Sequence, residues 1–348
     1  MIFPLRPTAA ATAGALLLFA CATSIGPRAP SFRDLPGWAA DDHAAALAAF
    51  RQACARQSAP DLSAVCARAQ SLGRVDDSAA RRFLETNFRL EPLREPGLLT
   101  AYFAPVFEAR RTACGEFTAP VRPRPADLPP PDRGGGGAEP YADRVAIEAR
   151  DAADSLAWMR PEELFLLQVQ GSGTLVFEDG ARVKAAFAGT NGAPYLAIGA
   201  VLRGRGLIAA DASAEDIRRW LAANRGATAE AVMGTDRRYV FFRLLPDDGA
   251  EPVGAAGSPL VPGRSIAVDL ASHHLGELFW LDATAPTIPG AHLSYRRLVV
   301  ALDSGAAIKG ESRVDLYLGQ GDVAGIEAGR VRHLLRLYQL APIAGRGS

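Results

Sequence analysis

The chain has 348 residues, with 38 Lys+Arg against 38 Asp+Glu and so no formal net charge. Nucleic-acid binders carry a basic excess or stripe, and disordered chains are poor in apolar residues; the balanced charge and 49% hydrophobic content exclude both classes. The length fits about two domains, and the only lysines among the 38 cationic residues are Lys184 and Lys309.

Arg6 is the only charge before Cys21, and residues 9–20 are apolar except for Thr12 and Gly14. Such a run is shorter than the roughly 20 apolar residues of a membrane span and fits an export signal. Leu18-Phe19-Ala20-Cys21 resembles a bacterial lipoprotein box, which implies that Cys21 carries lipid and becomes the new N-terminus. Ala22, in place of Asp, points to the periplasmic face of the outer membrane; a soluble periplasmic protein is the alternative. The expected layout begins with a signal at 1–20 and a Pro-containing tether at 21–40. Export places the remaining cysteines in an oxidising compartment. Helical segments at 44–53 and 63–70, joined by a short connection at 57–61, predict a Cys54–Cys66 bond with Cys114 free. Two buried thiols are the alternative.

Helical signals run from 41 to 89, the third helix opened by Asp76-Asp77. Residues 98–107 read as a strand, and 118–140, rich in Pro and containing Gly134 to Gly137, as a surface excursion. Two short strands are expected at 164–169 and 175–177, separated by Gln170-Gly171-Ser172-Gly173. Helices follow at 194–205 and 214–224, the latter with a Ser213/Asp216 capping box. Strands are expected at 239–245, 265–269, 278–281, 296–303 and 314–318, with 331–340 readable as strand or helix. Helices first and strands last make the chain α+β and mainly β.

None of the five histidines sits in an HExxH or paired-Cys pattern, so no metal is expected. Gly171-Ser172-Gly173 lacks the pattern of a nucleophile elbow, and Gly319-Gln320-Gly321 is a lone GxG. No phosphate loop is present, and no cofactor is expected. The densest chemical signal is 297–325. An apolar strand, 298–302, ends in Asp303; a second strand alternates Val314, Leu316 and Leu318 with Arg313, Asp315 and Tyr317. Two aspartates on neighbouring strands can form a carboxylate pair with unlike pKa values. The plainer reading makes Asp303 a turn cap and Asp315 a solvated strand residue.

ALDSGAAIKGESRVDLYLGQGDVAG resembles the C-terminal signature of the membrane-bound lytic murein transglycosylase A (MltA) family. LTAYFAPVFEAR, LFLLQVQGSGTLVFEDG, NGAPYLAIGAVLRGRGLI and RYVFFR are similar to further family motifs, in order, across roughly 90–340. The resemblance implies a double-psi β-barrel with a three-aspartate (3D) motif, an inserted β-rich domain, and a substrate groove between them. The barrel domain would take the helices of 41–105 and 238–340, and the insert 106–237. The implied reaction cleaves the β-1,4 bond between N-acetylmuramic acid and N-acetylglucosamine in peptidoglycan, with ring closure to 1,6-anhydromuramic acid. Asp315 would be the single acid and base, Asp303 its partner, and Asp269 the third aspartate. Gln170, Gly171, Ser172 and Gly173 suit sugar hydroxyls; Tyr102 suits a pyranose face; Lys309 and Asn191 complete the candidate substrate contacts. The expected partners are glycan strands and, through Cys21, a membrane, with no nucleic acid. His273-His274 replaces the family's usual Ile-Pro, which loosens the turn near Asp269. Two rivals stay open: a non-catalytic cell-wall-binding lipoprotein, and a secreted β-glucan hydrolase with Asp322 as its base.

Overall fold

The computed structural model describes residues 30–56, 59–94, 96–129, 141–288 and 290–343. The expected signal, Cys21 and the glycines at 134–137 lie outside the described residues. Among the described residues, two short 3-10 turns (Phe32–Asp34 and Trp38–Ala40) precede three α-helices, α1 (His43–Cys54), α2 (Ser63–Ser71) and α3 (Asp77–Asn87). Asp42 and Asp76 cap α1 and α3 by accepting the amides of Ala45 and Ala79, which leaves fewer amides unpaired at each start. Strands β1 (Phe88–Pro92), β2 (Gly97–Ala104), β3 (Val106–Glu108) and β4 (Ala119–Val121) follow. Next come α4 (Arg144–Glu148), β5 (Ala157–Met159), α5 (Pro161–Gln170), β6 (Gly173–Val176) and β7 (Arg182–Thr190). Helices α6 (Ile198–Gly204), α7 (Ala214–Ala223) and α8 (Ala227–Met233) lead to β8 (Val240–Pro246). The C-terminal part holds β9 (Ser265–Val268), β10 (Leu278–Pro286), β11 (Tyr295–Ser304), β12 (Arg313–Gln320), α9 (Gly321–Ala328) and β13 (Arg332–Pro342). No helix among the described residues is long and apolar enough to cross a membrane.

Six strands close on themselves in the order β13-β10-β11-β9-β12-β2 and back to β13, with β1 as an added strand on β13. The β9–β11 and β2–β12 pairs are parallel and the others antiparallel, a mixed closed barrel that the resemblance leads one to expect. Strand β10 is buried on both of its faces from Leu278 to Ala283. Phe279 and Leu281 of β10 pack with Leu99, Val299 and Leu316 in the interior. Trp280, between them, packs outward with Trp38, Leu47 and Phe50 under the N-terminal helices. That double burial explains the unbroken apolar run LFWL.

Cys54 and Cys66 are bonded, with Cα atoms 5.3 Å apart, and Cys114 is free and exposed. The bridge ties the end of α1 to α2 across a separation of 12 residues. Replacing both cysteines by Ala is expected to lower stability by about 3 kcal/mol, read as a lower urea midpoint.

The second unit is a four-stranded sheet, β3-β6-β7-β8, flanked by α5 to α8 and the β4–β5 pair. Three expectations need correction here. Residues 98–107 are two strands, because Pro105 breaks them and the chain passes from barrel to second sheet at that point. Residues 164–169 belong to helix α5, not a strand: Pro161 starts it, Glu162 and Glu163 lie in its first turn, and Gly171 at φ 85° ends it. The segment at 239–245 is not a barrel strand. As β8 it hydrogen-bonds to β7 in the second sheet, so that sheet extends past 237 to residue 246.

Candidate active site

Asp303 stands at the end of β11, just past a register shift against β9 between Ala301 and Asp303. Such irregularities re-aim a side chain. Its carboxylate accepts the phenol of Tyr102 at 2.7 Å and the amide of Ala255 at 3.0 Å. Burial raises its proton affinity above the ordinary carboxylate value, and these hydrogen bonds offset only part of that rise.

Asp315 lies on β12, paired in register with Thr100 of β2 on one side and Ala267 of β9 on the other. Its Oδ1 accepts the hydroxyl of Thr100, which itself accepts Nη2 of Arg313 at 2.8 Å. Burial again raises the proton affinity of Asp315; Arg313 and Thr100 work against it, and the charge of Asp303 adds to it. The two aspartates and Tyr102 are thus one electrostatic group. Tyr102 leans on Tyr317 with ring centroids 5.2 Å apart, and the Tyr317 phenol donates to Glu251 at 2.6 Å.

Asp269 acts as a staple. Its carboxylate accepts the amide of Gly310 at 2.8 Å and that of Ala271 at 3.2 Å, and it meets Lys309 at 3.4 Å. The Gly310 amide, above all, holds it below the ordinary carboxylate range. Asp269 therefore fixes the turn that joins the strands of Asp303 and Asp315. Lys309 is largely exposed, and its ion pair is with Asp269.

The His273-His274 departure does not leave this turn loose. The amides of Ser272 and His273 both donate to the Asp269 carbonyl at 2.9 Å. The His273 ring reaches the Glu311 carbonyl at 2.7 Å and lies 3.3 Å from the Glu277 carboxylate. Burial disfavours charge on this ring, yet the two acceptors outweigh it and raise its pKa above the usual histidine value.

On the second unit, Gln170 ends α5 and accepts the amide of Phe103 in β2 at 3.2 Å, tying that unit to the barrel strand that carries Thr100 and Tyr102. Gly171 supplies the left-handed turn after α5, and Ser172 is partly exposed beside it. Gly173 has no room for a side chain: a Cβ there would lie 2.7 Å from both the Pro105 carbonyl and Leu167. Gly173→Ala is expected to cost about 1–3 kcal/mol through overpacking, measured by urea unfolding. Asn191 is 2% exposed, and its amide serves the backbone of Ala142, Arg237, Ala193 and Tyr239. It organises the loop before α6 and presents almost no surface to a ligand.

That loop brings in a residue the sequence reading passed over. Tyr195 is half-buried, and burial followed by the charges of Asp236 and Asp315 pushes its phenol up to about 12. Thr100, Arg313 and Glu251 were passed over as well. The signal for Thr100 was a polar residue two places from Tyr102, on the same face of an otherwise apolar strand.

Residues 98–243 match the MltA specific insert domain and 264–341 the 3D domain. A membrane-bound lytic murein transglycosylase A of Vibrio cholerae is 35% identical over 251 residues, which span 70% of this chain and 65% of the relative. This chain thus aligns with just under two thirds of that protein's length. A crystal structure of a membrane-bound lytic murein transglycosylase from Agrobacterium tumefaciens is 32% identical and superposes with a TM-score of 0.80, covering 90% of this chain and 97% of that one. Escherichia coli MltA with bound chitohexaose is 28% identical, with a TM-score of 0.66 over 87% of this chain and 91% of that one. By its two matched domains, its relatives and its closed mixed barrel, the chain belongs to the membrane-bound lytic murein transglycosylase A family.

Proposed function

We propose that this protein is a peptidoglycan lytic transglycosylase that cleaves the β-1,4 bond between N-acetylmuramic acid and N-acetylglucosamine. Asp315, in this reading, holds a proton and donates it to the leaving glycosidic oxygen as the C1–O4 bond breaks. The C6 hydroxyl of the same muramyl residue then bonds to C1, and Asp315 takes the hydroxyl's proton. The product ends in 1,6-anhydromuramic acid, no water is consumed, and the enzyme returns to its starting state. A nucleophile tethered within the substrate acts at high effective concentration, so a second carboxylate to activate water is not needed.

The observation that carries this reading is the setting of Asp315, a buried carboxyl whose Oδ1 accepts the Thr100 hydroxyl and whose proton affinity burial raises above the ordinary carboxylate value, as a general acid requires. Asp303, held by Tyr102 and the Ala255 amide, is suited to raising the proton affinity of Asp315 and to balancing charge that develops at C1. Gln170 to Gly173 are suited to hydroxyls of the glycan; the chitohexaose bound by the E. coli relative supports a sugar-polymer ligand. Asp269 and Lys309 serve the site through the turn they hold.

At the N-terminus, a lipid on Cys21 would keep the enzyme at the periplasmic face of the outer membrane, beside its substrate; the relatives' description as membrane-bound supports that placement. Incorporation of labelled palmitate that depends on Cys21 tests it, and a soluble periplasmic product without label would overturn it. Mass spectrometry of sacculi digested by the purified protein tests the reaction. Muropeptides lighter by one water than hydrolytic fragments, and lacking reducing ends, are expected. Free reducing ends would favour the hydrolase, and binding without release the non-catalytic reading.

A further inference from the structure

Arg313 and Asp315 are two residues apart on β12 and so share a face of the strand. The guanidinium is anchored by Nη1 on the carbonyl of Val314 at 2.6 Å, which leaves Nη2 to donate to Thr100 Oγ1 at 2.8 Å. A threonine hydroxyl has a single proton. With a charged donor already directed into its oxygen, that proton points away from the guanidinium, and in this structure it goes to Asp315 Oδ1. Oδ1 is therefore committed as an acceptor, which leaves Oδ2 as the oxygen to carry the titrating proton.

We propose that Arg313 is a positioning residue for the transglycosylase reaction: acting through the Thr100 hydroxyl, it selects which oxygen of Asp315 carries the catalytic proton and eases that proton's release. The inference rests on the reading of Asp315 as the general acid. Two effects follow from the arrangement. The relay holds the carboxyl in one orientation, with its acidic oxygen fixed. The positive charge also opposes burial, and so keeps the acid from holding its proton too tightly to give up. The other groups that act on Asp315 are Asp303 of β11, which raises its proton affinity, and the phenols of Tyr102 and Tyr195, which feel its charge. Arg332 of β13 acts on Arg313 itself, disfavouring its charge along with burial.

The test is the pH dependence of kcat and KM for anhydromuropeptide release by Arg313→Met, Arg313→Lys and Thr100→Val, each checked for folding by its thermal melt. Arg313→Met is expected to lower kcat by roughly 10- to 100-fold, with KM within about twofold, because the acid is misplaced and not the substrate. Its alkaline limb is expected to move to higher pH, since the charge that assists deprotonation is gone. Arg313→Lys keeps the charge and loses the planar fork, so its limb stays at the wild-type pH and kcat recovers in part. Arg313→Met combined with Thr100→Val is expected to cost little more than the larger single change, as residues of one relay are non-additive.

A fall in kcat with an unmoved limb, wild-type kinetics in Arg313→Met, or simple additivity with Thr100→Val would overturn the inference. Should Arg313→Met fail to fold, Arg313→Lys and Thr100→Val carry the same decision: a limb moved by lysine contradicts it. Absence of anhydromuropeptides from the wild type would defeat the general-acid reading itself. Wild-type release with unaltered Arg313 variants would defeat only the relay.

Discussion

Asp315→Asn is expected to reduce anhydromuropeptide release by about 10²- to 10⁴-fold, the usual contribution of a positioned general acid, while leaving sacculus binding intact. Asparagine keeps the shape of the side chain and an oxygen to accept the Thr100 hydroxyl, so the loss is of the proton alone. The same substitution is expected to stabilise the fold near neutral pH. Burial raises the folded-state pKa of Asp315 above its unfolded value, with the charge of Asp303 adding to the shift. A carboxyl of that kind costs stability above its folded pKa, and the cost disappears once pH falls below the unfolded pKa. Thermal melts of Asp315→Asn should therefore lie above wild type at pH 7, and the gap should close under acid. A variant that is inactive because it is damaged would melt lower at both. An active Asp315→Asn, or one with no stability gain at neutral pH, would contradict the assigned environment.

Trp280→Ala is expected to destabilise the protein by about 3–5 kcal/mol, a large part of the roughly 5–15 kcal/mol that holds a typical domain folded. Trp280 is fully buried, and its ring meets that of Trp38 edge-on with centroids 5.2 Å apart. It lies on the outer face of β10, where the N-terminal segment and helices cover the barrel. The truncation removes a large apolar group and leaves a cavity within the core that the helical layer and the strands share. Phe279, its neighbour, faces the opposite way into the barrel. The substitution should thus loosen the helical layer first, seen as loss of hydrogen-exchange protection in α1 before β10. A drop in stability below about 1 kcal/mol would show that the layers do not depend on this contact.

How much of this was legible in the sequence differed from element to element, for physical reasons. Asp303 and Asp315 were visible as polar residues that end or alternate within apolar strands, a pattern that equally fits a turn cap and a solvated residue, and only the resemblance to the family gave them roles. The Ser213/Asp216 capping box of α7 was readable because capping is local chemistry. Helix α5 was not read, although Pro161 and Gly171 mark its ends; five apolar residues in a run of six, interrupted only by the buried Gln168, have no period to reveal it. Helix α9 hid for a different reason. It turns Val323 and Ile326 outward, 83% and 57% exposed, and packs Gly325 against the ring of Phe103, so hydrophobic periodicity points the wrong way. Strand β7 is rich in Ala and Gly and gains its place by pairing with β6 and β8, a long-range fact. Thr100, Arg313 and Tyr195 became site residues only when closure of the barrel and the fold-back of the second unit brought distant segments together.

The central claim is that a hydroxyl of the substrate, and not water, bonds to C1 when the glycan is cut. Digestion of sacculi by the wild-type protein in ¹⁸O-labelled water, followed by mass spectrometry of the released muropeptides, tests it most directly. The account predicts anhydromuramic ends that carry no label; labelled reducing ends on the muramyl products would contradict it.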